Sequence, residues 1–211
     1  MKQIIDLKNW KRREHFELFR QYEEPFWGIV AEVDCTQAFA KAKQLGVSFF
    51  VYYLYQSLRA VNEVENFRLR IEDNQVVLYD RIHASATLGR EDETFAFSFI
   101  EFSNDLETFN ETMLKEMDVV KNTTGIRLEG NNLRADVIHF SAIPWIHFTG
   151  LSHARNFTVN DSVPKISFGK LSDKEGKRMM PVSLHAHHAL LDGFHAGKFY
   201  ALFQQLLDEV V

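Results

Sequence analysis

Residues 183–195 read Ser-Leu-His-Ala-His-His-Ala-Leu-Leu-Asp-Gly-Phe-His, a stretch that gathers four histidines, a carboxylate and a glycine in otherwise largely apolar sequence. Histidine is the side chain whose ordinary pKa lies nearest neutrality, so it is the usual carrier of a proton in catalysis. If a strand ends at His188, alternation puts His185 and His187 on one face and His188 on the other. Three chemistries fit. The histidines could be core or interface residues satisfied by hydrogen bonds. His185 and His187 could be two metal ligands, but no Cys, Asp or Glu stands beside them at ligand spacing, and no metal is expected. Alternatively His188 is a general base. Asp192 would then open a helix where the dipole favours a carboxylate, and Gly193 would permit a tight turn. A Ser–His–Asp triad fits less well: no Gly-x-Ser-x-Gly elbow occurs, and a carboxylate four residues on need not orient the imidazole.

The elements that must position these residues follow from periodicity and punctuation. A strand over 179–187 leads into a helix over 193–207. Further strands are expected at 27–33, 68–72, 76–79, 82–88, 94–101, 137–141, 146–149 and 166–171, and helices at 11–20, 36–44, 48–61 and 106–120. Asn9 or a neighbour would cap the first helix, Thr36 and Ser48 open the next two, and Gly46 suits a helix C-terminus. Asp73-Asn74 reads as a hairpin turn, 173–176 as a hairpin loop and 123–132 as a surface loop. No repeat, low-complexity tract or linker rich in Pro, Gly or Ser interrupts the chain. Residues 1–211 are therefore expected to form one α+β domain, a two-layer sandwich with a mixed, mostly antiparallel sheet and helices on one face.

Composition limits the partners. Hydrophobic content of 45% with nineteen Phe is that of a globular chain. The formal net charge of −5 has no clustered Lys/Arg of the kind a nucleic-acid footprint needs. The first eight residues lack the apolar core of a signal peptide, and no run approaches the roughly 20 residues of a membrane helix. Cys35 is the only cysteine, so no intrachain disulfide is possible and a cytoplasmic location is expected. Cys35 itself reads as a small inert residue rather than a nucleophile.

His187-His188-Ala189-Leu190-Leu191-Asp192-Gly193-Phe194-His195 resembles the active-site signature of the trimeric chloramphenicol acetyltransferases. Asn9-Trp10-Lys11-Arg12-Arg13-Glu14-His15-Phe16-Glu17 is similar to that family's amino-terminal motif, and Phe140-Ser141-Ala142-Ile143-Pro144-Trp145 to its central Ser-Ala-x-Pro-Trp motif. Thr94-Phe95 also has a counterpart, and order and spacing agree across essentially the whole chain. The His-x-x-x-Asp-Gly run alone is shared by the acyltransferase domains of 2-oxo acid dehydrogenase complexes. Those normally add a lipoyl domain and linkers not seen in these residues.

The resemblance implies the CoA-dependent acyltransferase fold and a homotrimer with active sites at subunit interfaces. It implies acetyl transfer from acetyl-CoA to chloramphenicol, an antibiotic inactivation, or to another alcohol. His188 would take the acceptor's hydroxyl proton, its tautomer held by its own backbone carbonyl. Asp192 would pair with Arg12 and keep the site in shape, and Ser141 would donate to the tetrahedral oxyanion. Phe19, Phe95, Lys165 and Ser167 would line the substrate site, Ser167 standing where the family has a water-holding Thr. By pattern alone, Arg12 is a solvated residue on a charge-rich helix and Ser141 the end of a strand. The acceptor pocket departs from the family: Phe19 replaces a Tyr, Glu23 an apolar residue, Pro25 a small one and Lys165 an Ile. Leu151-Ser152-His153-Ala154-Arg155 replaces a run with Leu and Val. Charges buried against an apolar ligand are costly unless paired. The competing readings are a non-catalytic ligand- or CoA-binding homologue and an acyltransferase of the 2-oxo acid dehydrogenase type.

Overall fold

The computed structural model describes residues 1–156 and 161–209. In chain order the strands are β1 (Lys2–Ile4), β2 (Phe26–Asp34), β3 (Leu69–Glu72), β4 (Gln75–Tyr79), β5 (His83–Gly89), β6 (Phe95–Phe97), β7 (Val137–Ala142), β8 (Lys165–Phe168), β9 (Ser172–Lys174) and β10 (Lys177–His187). The helices are α1 (Arg13–Phe19), α2 (Thr36–Leu45), α3 (Phe49–Glu63), α4 (Leu106–Lys121) and α5 (Gly193–Asp208). Their ends follow from local chemistry. Ser48 accepts the Val51 amide and Asp105 the Thr108 amide, each satisfying a donor that a helix start leaves unpaired. Gly46 ends α2 in the left-handed region at φ 68°, which side chains disfavour.

The central sheet runs β2–β10–β8–β7–β5–β6, with β9 hairpinned onto β10. β5, β7 and β8 pair in parallel. The remaining pairings are antiparallel, so the protein is α+β with a mixed, mostly antiparallel sheet. Alternation sorts each strand. Met180, Val182, Leu184 and Ala186 of β10 join Ile166, Phe168, Ile138 and Phe140 in the main core. Residues of α2, α3, α4 and α5 cover that face, α3 contributing Val51, Leu54, Leu58 and Val61. α1 lies elsewhere. A second sheet, β1–β4–β3, makes a smaller core with Phe16 of α1 and with Ala189 and Leu190, which follow β10.

Several sequence expectations change. Residues 146–149 form no strand, because Pro144 turns the chain, with the Ile146 amide on the Ile143 carbonyl at 3.2 Å. The expected strand 94–101 shortens to Phe95–Phe97 plus a single bridge between Ala84 and Ile100. Ser98 interrupts it, both its amide and its hydroxyl donating to the Ala86 carbonyl. The expected 166–171 strand ends at Phe168, and 172–174 form a strand of their own. Asn9 does not cap α1: its side chain donates to Asp6, and the residue at the cap, Arg12, makes no side-chain capping bond. β1 was not expected, and none of its residues is buried. The Asp73-Asn74 turn is as read, both residues at positive φ.

One polar side chain joins the two sheets. Arg70 of β3 is fully buried, and its guanidinium donates to the carbonyls of Phe67, Leu69, Ala135 and Val137. Burial pushes its pKa down to about 10. Arg70→Met removes every one of those donors. Because each buried carbonyl left unpaired costs about 1–3 kcal/mol, a loss of more than ~3 kcal/mol is expected. That corresponds to roughly 6–12 °C in Tm for a chain of this size. A thermal melt of the variant within a degree of wild type would contradict it.

Candidate active site

β10 ends at His187, and the next residues form a turn whose groups are pinned from three directions. The His188 amide donates to the Pro25 carbonyl at 2.8 Å, extending the pairing with β2. Asn66 donates to the Leu190 carbonyl at 2.7 Å, and the Trp27 indole to that of Leu191 at 3.1 Å. Arg12, from the amino-terminal segment, donates to Asp192 at 2.6 Å and to the His188 carbonyl at 3.3 Å.

Asp192 does not touch His188. Its carboxylate caps α5 by accepting the Phe194 amide at 3.1 Å and lies 2.9 Å from His195 Nδ1. Partial burial opposes its ionisation. The Arg12 hydrogen bond and charge, with His195 and the Phe194 amide, overcome this and hold the carboxyl at about 2. The His188 ring lies flat on Phe19, centroids 4.0 Å apart and planes within 3°, with Trp27 tilted against it at 5.6 Å. Phe19 is therefore a platform for the imidazole. Nδ1 is buried without a hydrogen-bond partner, and the His188 carbonyl expected to hold it receives Arg12. The clamped ring is left with Nε2 to offer a substrate.

Ser141 is elsewhere. It is the register partner of Ser167, which pairs in turn with Ser183, so all three lie on the sheet face turned away from the helices. The Thr87 and Ser141 hydroxyls lie 3.3 Å apart. Lys165 shares this face; its ammonium pairs with Asp161 at 2.6 Å and sits 4.6 Å above the Phe26 ring. Phe95 is half-exposed on β6, next to Phe97. The five steps from Ser183 to His188 cover ~16 Å and two inter-strand spacings about 10 Å, so Ser141 and His188 stand roughly 19 Å apart in one chain. The fold thus gathers His188, Asp192, Arg12 and Phe19 at one place and Ser141, Ser167 and Lys165 at another.

Sequence reasoning missed Thr87 and Gly28, and named His153 only within the pocket run 151–155, without its partners. Ser167 Oγ lies 3.4 Å from His153 Nε2, and His153 meets His185 edge to face at 4.7 Å. A Cβ on Gly28 would come within 2.4 Å of His185 Nε2. A lone glycine inside a strand is the signal for such a close approach. Thr87 carries no comparable signal. Among the described residues, no three His, Cys, Asp or Glu side chains are grouped to hold a metal ion.

Known proteins similar to this chain point to one family. The family model described as chloramphenicol acetyltransferase matches residues 2–204. Chloramphenicol acetyltransferase 2 of Escherichia coli is 30% identical over 210 residues, covering 98% of this chain and 97% of that protein. A chloramphenicol acetyltransferase of Proteus mirabilis is 27% identical, with 98% and 94% covered. A solved structure of a chloramphenicol acetyltransferase superposes with a TM-score of 0.91 at 34% identity, over 98% of this chain and 100% of that one. A probable dihydrolipoamide acetyltransferase from Listeria monocytogenes, 15% identical with a TM-score of 0.65 over 92% and 88%, shares the fold.

The histidines on the polar sheet face make stability depend on pH. Burial pushes His139, His153 and His187 down to about 4, helped by Lys165 at His139, His185 and Lys165 at His153, and Arg155 at His187. An unfolded chain holds these protons near pH 6.5, so between about pH 6.5 and about 4 it binds more protons than the folded one. Stability is complete above that window and falls as pH drops through it. The guanidinium midpoint is expected to decrease steadily from pH 7.5 to 4.5, less steeply in His187→Asn. A midpoint constant over that range would contradict the assignment.

Proposed function

The chain belongs to the chloramphenicol acetyltransferase family, and on that footing we propose that it moves an acetyl group from acetyl-CoA to the hydroxyl of a small alcohol. It is an acyltransferase, and chloramphenicol is the acceptor that names its relatives. The activity is assigned to residues 1–211 as one domain. His188 Nε2 takes the acceptor's proton as the alcohol oxygen attacks the thioester carbonyl. Ser141 donates to the oxyanion that forms. Collapse breaks the carbon–sulfur bond, and the imidazolium returns the proton to the leaving thiolate, giving the acetyl ester and free CoA. The carrying observation is the clamped imidazole. Its ring is stacked on Phe19, its Nδ1 is buried, and no carboxylate is needed to orient it.

A cavity of about 690 Å³, reached from Ser141 through its neighbours Thr87 and Ala142, supports acetyl-CoA as co-substrate. Its wall includes Thr87, Leu88, Ala142, Pro144 and Trp145, an apolar channel for a pantetheine arm, with Lys121, paired at 3.2 Å with the exposed Glu91, at its edge to meet a phosphate. The separation of Ser141 from His188 within one chain supports the homotrimer. The neighbouring copy would bring one group to the other, so every site is shared between subunits. No described helix is long and apolar enough to cross a membrane, and we place the reaction in the cytoplasm, where Cys35 stays reduced.

Thiol release from acetyl-CoA with chloramphenicol and other alcohols tests the chemistry. His188→Ala is expected to cost about 10²–10⁴ in kcat, and Ser141→Ala about 10²–10³. Activity surviving His188→Ala removes His188 as base. Sharing of the site is tested by unfolding the two variants together and refolding them as mixed oligomers. If base and oxyanion donor come from different chains, about a quarter of the sites regain both groups. If they act within one chain, the mixture stays as inactive as its parents.

A further inference from the structure

The sheet face that carries Ser141 continues across β8 into a small cavity. Ser167 is the register partner of Ser141, and its hydroxyl lies 3.4 Å from His153. His153 forms one wall of a cavity of about 230 Å³, with His185, Lys165, Arg155, Glu24 and Phe26 around it. That volume is below the roughly 300–1,000 Å³ that holds a whole drug-sized ligand, so it receives one end of an acceptor.

The lining is polar in a particular way. Lys165 is paired with Asp161 and donates to the Val163 carbonyl at 3.1 Å, and Arg155 is paired with Glu24. Both cations also lie against Phe26, the Arg155 guanidinium 3.6 Å and the Lys165 ammonium 4.6 Å from its centroid. The aromatic surface is already engaged. An aryl ring entering here would strip water from two ion pairs and return no hydrogen bond. An anionic or cationic group would have to break one of the pairs. His153 and His185 are held neutral at pH 7, chiefly by burial; His185 already meets Ser183 through Nδ1 and the Leu151 backbone, and His153 Nε2 lies against Ser167, so the ring nitrogen left for a ligand is Nδ1 of His153. Gly28 keeps the space in which the His185 ring lies.

We infer that the acceptor alcohol carries an uncharged, hydrogen-bonding end of polyol or sugar type, which this cavity binds while the reacting hydroxyl sits at Ser141. The inference rests on the acetyl-transfer reading and narrows its acceptor.

Thiol release from acetyl-CoA is measured with sorbitol, methyl glucoside, glycerate and chloramphenicol. The proteins are wild type, His188→Ala, His153→Leu, and Lys165→Ile combined with Asp161→Asn so that no carboxylate loses its partner. His153 lies on an irregular segment, so its variant tests the pocket even if the double substitution fails to fold. Wild type is expected to favour a polyol or glycoside over chloramphenicol by tenfold or more in kcat/KM. Each pocket variant is expected to narrow that preference at least tenfold, mainly through KM. Higher kcat/KM for chloramphenicol or glycerate in wild type, or pocket variants that lower all acceptors alike, overturns the inference. Such turnover, if abolished by His188→Ala, leaves acetyl transfer standing. No thiol release with any acceptor overturns both.

Discussion

Alternation along β10 puts Met180, Val182, Leu184 and Ala186 beneath the helices, and the same geometry obliges Ser183, His185 and His187 to face the other way. The helices protect only one side of the sheet. On the other side Ser167 and Ser183 are nevertheless fully buried and His187 nearly so, and the polar groups there need partners. Ser183 finds His185, Ser167 finds His153, and Lys165 finds Asp161. A hydrocarbon face could have joined a core; this one is organised for hydrogen bonding. It is where the proposed oxyanion donor, acceptor pocket and neighbouring subunit would meet.

The proposed base stands outside that face, on a turn, where a side chain would normally wander. Several long-range bonds prevent it. Arg12, Trp27 and Asn66 each hold a carbonyl between His188 and Leu191, while Ala189 and Leu190 anchor in the small core with Phe16. Bringing the Arg12–Asp192 pair out of water costs free energy that its attraction only partly offsets, so its value lies in geometry rather than stability. Asp192 serves two elements at once, as the partner of Arg12 and the cap of α5. Taking either away would loosen the frame around the imidazole without touching the imidazole.

The elements with strong periodicity were legible in the sequence: the α+β class, the four helices over the sheet, the two-residue turn at Asp73-Asn74 and the face shared by His185 and His187. Segment 146–149 misled because its residues favour strands, while Pro144 and a hydrogen-bonded turn decide its path. β1 was invisible, three exposed residues having no pattern to read. In the site, residue types gave His188 and Asp192 their candidacy. No local rule joins Arg12 to Asp192 across 180 positions, and that pairing came from family resemblance. The roughly 19 Å between Ser141 and His188 is a property of strand register, which no single segment encodes.

The same Arg12–Asp192 contact has a consequence for how the protein is made. The guanidinium that fixes the turn is synthesised near the beginning of the chain and the carboxylate near its end. At ribosomal rates of about 5–20 residues per second, Arg12 waits roughly 10–40 s for its partner. During that interval Phe16 and the small sheet lack Ala189 and Leu190, the residues that complete their core. The turn that carries the proposed base is thus among the last features to form, together with β10 and α5, whose Met180, Val182, Leu184, Phe199 and Phe203 close the main core.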